Sequence, residues 1–364
     1  MTNGVRAHGD IRRANLALVL GRLLAEGPQS RAAIAGRTGL MRSTVSSLVS
    51  ELEGLGLVAS AGRAPGRVGR PGELIATRPE GAAAIGAELA VDRVRVCLVD
   101  LERRVRAVHE LEFPRGEGQD ALAALDEAVA ALRAEATLQG TRVVGVGLAV
   151  PGLVDLAGAV LVRAPNLDLA GVDLSHALGA GTAAGLPVLV DNEANLAALA
   201  EHGAGAAGDA ASMLYVSGGV GIGAGVIVDG RLLRGAHGFG GELGHVTVMP
   251  EGPLCGCGAR GCLEALAGEA AGATPGQRAR WLGIALASAV NLVDPAVVVL
   301  GGFLAEEGDA LVPGVEAELR ARVIGQRHRP VAVVRGVLGR QAAMRGAADL
   351  ALAPVLADPA SVTA

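Results

Sequence analysis

Two neighbouring stretches, Gly241-Glu-Leu-Gly-His245 and Cys255-Gly-Cys-Gly-Ala-Arg-Gly-Cys-Leu-Glu264, decide the fold of this chain. They offer three thiols and one imidazole as metal ligands: His245, Cys255, Cys257 and Cys262. Such a set suits a closed tetrahedral zinc site without an open position for water, and redox chemistry of the thiols is the alternative. Glu242 and Glu264 flank the set, so we expect the metal to organise a polar pocket as well as a loop.

Charge is distributed unevenly over the 364 residues. Lys is absent, so all 32 basic residues are Arg, and the net charge is -5. Residues 1–75 carry +5 and the remainder carries -10. The length allows two or three domains. A small basic module on a larger acidic body indicates an anionic partner for the first part only.

Targeting signals and membrane spans are not evident in the sequence. No apolar run reaches the ~20 residues of a membrane span, and the N-terminus lacks the pattern of a signal peptide. The cysteines cluster with metal spacing rather than as a disulfide framework. We therefore expect a soluble, cytoplasmic protein without a membrane partner. Cys97 lies in an apolar run and is predicted to be an ordinary core thiol.

Three helices are predicted near the N-terminus. The first ends at Gly27-Pro28 and has an apolar stripe at helical spacing: Leu16, Val19, Leu20, Leu23 and Leu24. Ser30 is a suitable N-cap for a second helix that ends near Thr38, and Gly39 provides a turn. The third helix, from about Arg42 to Leu55, buries four residues: Val45, Leu48, Val49 and Leu52.

This arrangement predicts a helix-turn-helix that binds double-stranded DNA. The third helix presents hydroxyls and one guanidinium outward: Arg42, Ser43, Thr44, Ser46 and Ser47. An Arg- and Gly-rich loop at 62–72, between two short apolar runs, is typical of a wing, and its Arg67 and Arg70 are candidates for phosphate or groove contacts. The alternative is a three-helix docking or dimerisation module followed by a solvated linker.

The body of the chain alternates between strand-like and helical patterns. The pattern predicts a pair of strands over 84–99 and single strands at 110–113, 143–150, 186–191, 212–216, 225–228 and 296–300. Helical patterns lie at 120–137, 193–202 and 278–290. This alternation predicts an α/β body built on central sheets.

Several short motifs in the body give the chain a resemblance to a known family. They are Pro151-Gly152, Ala164–Leu167, Asp191–Asn195, Val298–Gly302 and the Gly-His…Cys-x-Cys-Gly-x2-Gly-Cys-x-Glu motif. On these motifs the chain resembles the ROK family, whose name joins repressors, open reading frames and sugar kinases. Its N-terminal module is similar to that of the repressor branch. The resemblance implies a winged helix-turn-helix at 1–78 and, at 79–364, a two-lobed actin-like ATPase (ribonuclease H-like) body with a zinc loop at 241–264.

The resemblance also implies a sugar site in the cleft of that body. The family's zinc ligands match His245, Cys255, Cys257 and Cys262. Its sugar contacts match Asn166, Asn192, Glu193, Glu242, His245 and Glu264. Carboxylates and amides suit a polyhydroxyl ligand because they accept and donate several hydrogen bonds. His245 would face the metal with one ring nitrogen and the sugar with the other, so that zinc holds the pocket in place.

The motifs for kinase chemistry are altered. Family kinases bind ATP phosphates with Asp-x-Gly-Gly-Thr, where this chain has Glu88-Leu-Ala90-Val91-Asp92, and the acid would repel phosphate. The second phosphate turn, 219–225, keeps its glycines but has Val220 in place of Thr, so a packed hairpin is the expected structure. Glu193 replaces the Asp that acts as general base, which moves the carboxylate by roughly one bond length.

These observations favour a regulator rather than an enzyme. We expect a transcriptional regulator, with repression favoured, that binds an operator as a homodimer or dimer of dimers and responds to a sugar or phosphosugar. The first alternative is an ATP-dependent sugar kinase, similar to a glucokinase, with an accessory DNA-binding head. The second is a regulator that no longer binds sugar and answers to a protein partner.

Overall fold

The computed structural model describes residues 2–63, 72–113, 118–155, 159–179, 185–208 and 210–362. Its N-terminal head contains helices and strands in the order α1 (Thr2–Glu26), β1 (Gln29–Ser30), α2 (Arg31–Thr38), α3 (Arg42–Gly54), β2 (Val58–Arg63) and β3 (Glu73–Thr77). The strands form one antiparallel sheet in the order β1-β3-β2. Three helices against a small sheet are the arrangement of a winged helix. Arg67 and Arg70 lie outside the described residues.

The ends of α2 follow from local chemistry. The Ser30 hydroxyl accepts a hydrogen bond from the backbone amide of Ala33, which satisfies one of the free amides at the helix N-terminus. Gly39 ends the helix in the left-handed region at φ 73°. The inward residues of the first and third helices are buried in one core, as expected: Leu16, Val19, Leu20, Leu23, Val45, Leu48, Val49 and Leu52. Leu24 is half-buried at its edge.

The first lobe of the body follows the head. Its elements are β4 (Ala83–Leu89), β5 (Arg93–Asp100), β6 (Val105–Glu112), α4 (Gly118–Leu138), β7 (Val143–Val150), β8 (Leu153–Asp155), β9 (Val160–Ala164), β10 (Leu169–Asp173), α5 (Leu174–Gly179), β11 (Val188–Asn192) and α6 (Glu193–Ala204). Five strands form a mixed sheet in the order β11-β7-β4-β5-β6, with the first three parallel. Strands β8 to β10 form a separate antiparallel sheet.

The second lobe repeats this plan with another mixed sheet. Its elements are β12 (Met213–Gly218), β13 (Ile222–Val228), β14 (Arg231–Leu232), α7 (Leu263–Ala267), α8 (Pro275–Val293), β15 (Val297–Gly302), α9 (Phe303–Glu306), α10 (Gly308–Arg322), β16 (Ala332–Arg335) and α11 (Ala342–Ala357). The strand order is β14-β13-β12-β15-β16. Two lobes built on five-stranded mixed sheets form the α/β, actin-like fold expected from the motifs.

Helix α11 crosses back from the second lobe and packs on the sheet of the first. The contact is close because glycines face it: a Cβ on Gly86 would stand 1.9 Å from the Met344 carbonyl oxygen, and one on Gly147 would stand 1.8 Å from that of Ala347. Both distances are far below any real contact. Only glycine therefore lets the helix backbone approach strands β4 and β7 this closely.

The far end of α11 reaches the head. Val355 and Val362 are buried in the same core as Leu20 and Leu48 of the winged helix. The Arg142 guanidinium of the first lobe also donates to the Leu55 carbonyl, 3.2 Å away. The head and the body therefore share part of one hydrophobic core, although residue 78 remains the predicted boundary between them.

Several elements differ from the patterns used to predict them. Strand β6 begins at Val105, ahead of the expected 110, and strands β8 to β10 and helices α10 and α11 had no corresponding expectation. Cys97 is fully buried, as expected of a core thiol, and burial raises its pKa to about 12. Among the described helices, none has the length and apolarity required to cross a bilayer.

Candidate functional site

A single cleft between the lobes collects all the residues predicted to contact sugar. It is lined by Asn166, Asn192, Glu193, Glu242, His245 and Glu264. Gly152, at the end of β7, lies beside them, and its φ of 93° suits glycine. The first lobe supplies three of the six residues and the second lobe supplies the other three, so the site depends on the spacing of the lobes.

Asn192 links the first lobe's side of the cleft to its neighbours. As the N-cap of α6, its side-chain oxygen accepts from the amides of Ala194 and Asn195 at 2.8 and 3.2 Å. Its side-chain nitrogen donates to the Gly152 carbonyl at 3.1 Å and to the Glu193 carboxylate at 2.8 Å. The Asn192 amide therefore positions Gly152 and Glu193 in this structure.

Asp191 precedes Asn192 and is buried beneath the cleft. Its carboxylate accepts from the Asn192 backbone amide at 2.8 Å and from the Asn195 side chain at 3.2 Å. It also forms an ion pair with Arg234, which follows β14 in the second lobe. Arg234 thus connects the strand end that carries Asn192 to the segment that leads to Glu242.

Glu193 occupies an unfavourable electrostatic position in the cleft. Burial, together with the nearby carboxylates of Glu242, Glu88 and Glu264, raises its pKa to about 8. The pKa of Glu242 is also raised by burial, while His245 opposes that change. A carboxyl group that keeps its proton near neutral pH can donate a hydrogen bond as well as accept one.

The four predicted metal ligands converge on one point beside the cleft, which His245 and Cys257 also line. The ligand atoms of His245, Cys255, Cys257 and Cys262 all lie within 4.8 Å of one another. The Cys255 sulfur is 3.7 Å from His245 Nδ1, and the sulfurs of Cys257 and Cys262 are 3.7 Å apart. Sulfur ligands ~2.3 Å from a tetrahedral zinc ion stand about 3.8 Å apart. The separations fit such an ion, and the cluster is able to bind a metal.

His245 joins this cluster to the cleft. Its Nδ1 faces Cys255, and its Nε2 lies 3.9 Å from a Glu242 carboxylate oxygen. Burial and the neighbouring thiols together raise the pKa of the Cys262 thiol to about 12. A cation between the sulfurs would therefore be needed to hold all three as thiolates.

Glu264 joins the cluster to the glycine-rich hairpin of β12 and β13. Its carboxylate accepts a hydrogen bond from the Ile222 amide at 3.2 Å and lies 3.8 Å from the Cys255 sulfur. A Cβ on Gly221 would stand 2.1 Å from the same carboxylate. The turn is a tight hairpin, as expected, and Gly221 leaves room for the chain's own acid.

The segment that the resemblance matches to the first phosphate turn of the family kinases forms the bend between β4 and β5. Asp92 lies in this bend and pairs with Arg93 at 2.9 Å. Glu88 and Arg95, which face each other across the hairpin, form a buried ion pair at 3.3 Å. The Arg95 guanidinium also donates to the Arg340 carbonyl at 3.2 Å. Ion pairs within the chain thus line this part of the cleft.

Sequence reasoning named Glu88 only as part of the altered phosphate turn and Asp191 only as part of a motif. It missed four other residues of the site: Arg95, Arg234, Glu269 and Arg340. One signal was available, because Glu88 and Arg95 are opposite charges in two apolar strands, placed at equal distances from the turn. For Arg234 and Arg340 no local signal exists, since their partners lie more than 30 residues away.

The predicted DNA-binding residues begin at the N-terminus of α3. Arg42, Ser43 and Ser46 are exposed there, and Thr44 is half-exposed. The Ser46 hydroxyl donates to the Arg42 carbonyl, and Ser47 accepts from Arg12, which pairs with Glu51. Met41, the N-cap, makes no side-chain cap, so the first amides of α3 have no side-chain partner from that residue.

Comparisons with known proteins agree with this architecture. The sequence model of the ROK family matches residues 84–275 and 273–353. A putative xylose repressor from Caldicellulosiruptor sp. (strain Rt8B.4) is 30% identical over 97% of this chain and 98% of that protein. The crystal structure of a ROK family transcriptional regulator, a homologue of the E. coli MLC protein, covers 96% of this chain and 98% of its own, with 25% identity and a TM-score of 0.79.

A kinase of the family is also similar. The crystal structure of a ROK family glucokinase from Streptomyces griseus, in complex with glucose and AMPPNP, is 30% identical with a TM-score of 0.65. It covers 74% of this chain and 98% of its own. The fold and the site define a two-lobed α/β protein of the actin-like type, with a cysteine–histidine cluster beside its cleft and a winged helix in front. The chain belongs to the ROK family.

Proposed function

We propose that this protein is a sugar-responsive transcriptional repressor. The observation that carries the proposal is the presence, in one chain, of a winged helix and a polar cleft that share helix α11. Ala342 and Ala343 at its N-terminus line the cleft, and Val355 near its C-terminus is buried in the head's core. Full-length similarity to a putative xylose repressor supports the same function.

The head is the DNA-binding part of this proposal. Arg42, Ser43 and Thr44 would contact the operator from the N-terminal turn of α3, with Ser46 and Ser47 farther along the helix. Arg67 and Arg70 of the wing would add phosphate or groove contacts. A homodimer or dimer of dimers would place two heads on half-sites spaced by helical turns of DNA.

The cleft is the sensor in this proposal. Asn166, Glu193, Glu242, His245 and Glu264 would bind sugar hydroxyls, and Asn192 would hold Glu193 in place. Structural Zn2+ on the three cysteines and His245 would fix the sides of the pocket formed by Glu242 and Glu264. Sugar changes DNA affinity only by as much as its affinity differs between the two arrangements of the lobes and heads.

We infer that kinase activity is lost. By the resemblance, Asp92 belongs to the turn with which a kinase presents glycine amides and a Thr hydroxyl to ATP phosphates, and here it pairs with Arg93. Ala90 and Val91 add side chains to the same turn. In the second phosphate turn, the Ile222 amide already donates a hydrogen bond to the Glu264 carboxylate. A glucokinase with an accessory head is the competing function, because glucokinases occur among its relatives.

Fluorescence anisotropy with an operator fragment from the gene's own upstream region tests the proposal. Titration with free and phosphorylated sugars should identify at least one that weakens DNA binding by 10-fold or more. The proposal fails if none changes operator affinity. An ATP-consumption assay with a hexose panel tests the kinase alternative, and robust turnover would overturn the loss of catalysis.

Two variants separate the head from the sensor. Arg42→Ala should weaken DNA binding and reduce its salt dependence without changing sugar affinity. Glu242→Gln should impair the sugar response while leaving DNA affinity unchanged in the absence of sugar. Arg320→Ala, which changes an exposed Arg on α10, is the matched control and should alter neither property.

A further inference from the structure

We propose, on the basis of the sugar response proposed above, that the cleft selects an uncharged sugar and rejects phosphorylated sugars. The proposal rests on the charged groups that line the cleft. Six carboxyl groups line it: Glu88, Asp92, Glu193, Glu242, Glu264 and Glu269. Glu193 keeps its proton near neutral pH because its pKa is raised to about 8, so the negative charge comes from the other five. The lining has three guanidiniums, those of Arg93, Arg95 and Arg340, and the chain has no Lys to add to them.

Each of these guanidiniums already has carboxylate partners in the chain. Arg93 pairs with Asp92 and with Glu110, both at 2.9 Å. Arg95 pairs with Glu88 and Glu110, both at 3.3 Å. A phosphate that approached either group would have to compete with two anions for the same N–H donors.

Arg340 is engaged in the same way. It forms a fork with Glu306, with bonds of 2.7 and 3.0 Å, and lies 3.6 Å from Glu269. Its two principal bonds match the planar geometry with which a guanidinium would otherwise bind phosphate. The lining of the cleft therefore offers a phosphate no cation that lacks a carboxylate partner among the described residues.

Two backbone amides of the glycine turn are also occupied. The Gly219 amide donates to the Gly221 carbonyl at 3.0 Å, and the Ile222 amide donates to Glu264 at 3.2 Å. Glycine turns bind phosphate by presenting free amides to it. Here the carboxylate of Glu264 holds part of that position, so a second anion would meet like charge at short range.

The hydroxyls of an uncharged sugar are not repelled by the carboxylates that line the cleft. Carboxylates such as Glu242 and Glu264 accept hydrogen bonds from sugar hydroxyls without meeting a like charge. The contrast between the two ligand classes therefore comes from the phosphate alone. Juxtaposed like charges of this kind are a common means of excluding a wrong ligand.

Isothermal titration calorimetry on the full-length protein compares matched pairs: glucose, mannose and N-acetylglucosamine with their 6-phosphates. The tightest free sugar should bind at least 100-fold more tightly than its phosphate. A phosphosugar that binds as tightly as its parent, or more tightly, overturns the selectivity and leaves the proposed sugar response intact. If neither form of any sugar binds, and no sugar changes operator affinity, the proposed sugar response itself is wrong.

A charge variant tests the cause. Asp92→Asn removes one carboxylate and releases part of the Arg93 guanidinium, so the discrimination against phosphate should fall about 5- to 10-fold. The control is Asp309→Asn. The Asp309 carboxylate is 93% exposed and pairs with Arg335, so this change should leave the discrimination against phosphate unchanged. Equal discrimination in both variants and the parent would overturn the role of the Asp92 bend. Glu269→Gln repeats the test on the Arg340 side should Asp92→Asn fold poorly.

Discussion

Asp191, buried in the first lobe, forms an ion pair with Arg234 of the second lobe, directly beneath the Asn192–Glu193 edge of the cleft. The Arg234 side chain is 34% exposed and that of Asp191 is 3% exposed. Removing Arg234 leaves a buried carboxylate with two neutral donors and no cation. Because the partners belong to different lobes, the pair also links the two lobes beneath the cleft.

Arg234→Gln should lower the free energy of unfolding by about 1–3 kcal/mol, since an unpaired buried charge is costly and the partial exposure of Arg234 reduces the effect. Urea denaturation measures the change. Arg335→Gln breaks an exposed pair with Asp309 and should cost less than about 0.5 kcal/mol. An equal decrease in the free energy of unfolding in the two variants would show that the buried Asp191–Arg234 pair stabilises the protein no more than an exposed pair does.

Cys257→Ser should release a bound metal ion, because a closed site needs all four ligands. Elemental analysis of the purified protein should find about one zinc per chain, and much less in the variant. We expect the sugar response to disappear before DNA binding does, since the cluster adjoins Glu242 and Glu264. Cys97→Ala, which changes a thiol remote from the cluster, should retain the metal. Loss of DNA binding with retention of sugar binding would contradict this role for the cluster.

Glu193 should make stability depend on pH. Its pKa is about 8 in the folded protein and 4.5 as the ordinary value. The folded protein holds the proton more tightly, so this stabilisation is complete below about pH 4.5 and is lost as pH rises through about 8. The Glu193→Gln side chain stays neutral at every pH. The fall in the free energy of unfolding between pH 4.5 and 9 should therefore be smaller in this variant, by about 2–4 kcal/mol.

Thermal or urea unfolding between pH 4.5 and 9 measures the effect of Glu193. Glu112→Gln changes a carboxylate that is 78% exposed and should retain the parent's profile. A parent and a Glu193→Gln variant with parallel pH profiles would exclude the raised pKa.

Gly147→Ala should destabilise the protein by at least about 3 kcal/mol or prevent folding. The added Cβ would meet the Ala347 carbonyl oxygen of α11 at 1.8 Å, and backbone atoms on a packed helix cannot yield. Melting temperature and soluble yield provide the measurement. Gly276→Ala, in α8 with open space around it, should be neutral or slightly stabilising. A Gly147→Ala variant as stable as Gly276→Ala would mean that α11 does not pack as described.

Local chemistry was predictable from the sequence. Ser30 and Gly39 mark the ends of α2, because an N-cap hydroxyl and a left-handed glycine act within a few residues. The His245–Cys262 cluster was predictable for the same reason, since its ligands lie close together in sequence. The altered turn at 88–92 also showed in the residue types alone.

Long-range relationships were not predictable in this way. The partners Asp191 and Arg234 are 43 residues apart, and nothing near either residue indicates the other. Helix α11 was missed because it is rich in Ala and packs against both a sheet and helix α6, which blurs its periodic pattern. The sequence therefore predicts which residues line the cleft, but not which of their charges are paired.

The burial of Val355 and Val362 in the winged helix has a consequence for synthesis. The head's own residues leave the ribosome about 280 residues before Val355, or roughly 15 to 60 s earlier at usual elongation rates. During that interval its apolar core lacks two of its side chains, and limited proteolysis of stalled nascent chains should find the head more labile than in the released protein. The head is thus synthesised before two of the side chains that complete its core, and on the ribosome it should be less stable than in the released protein.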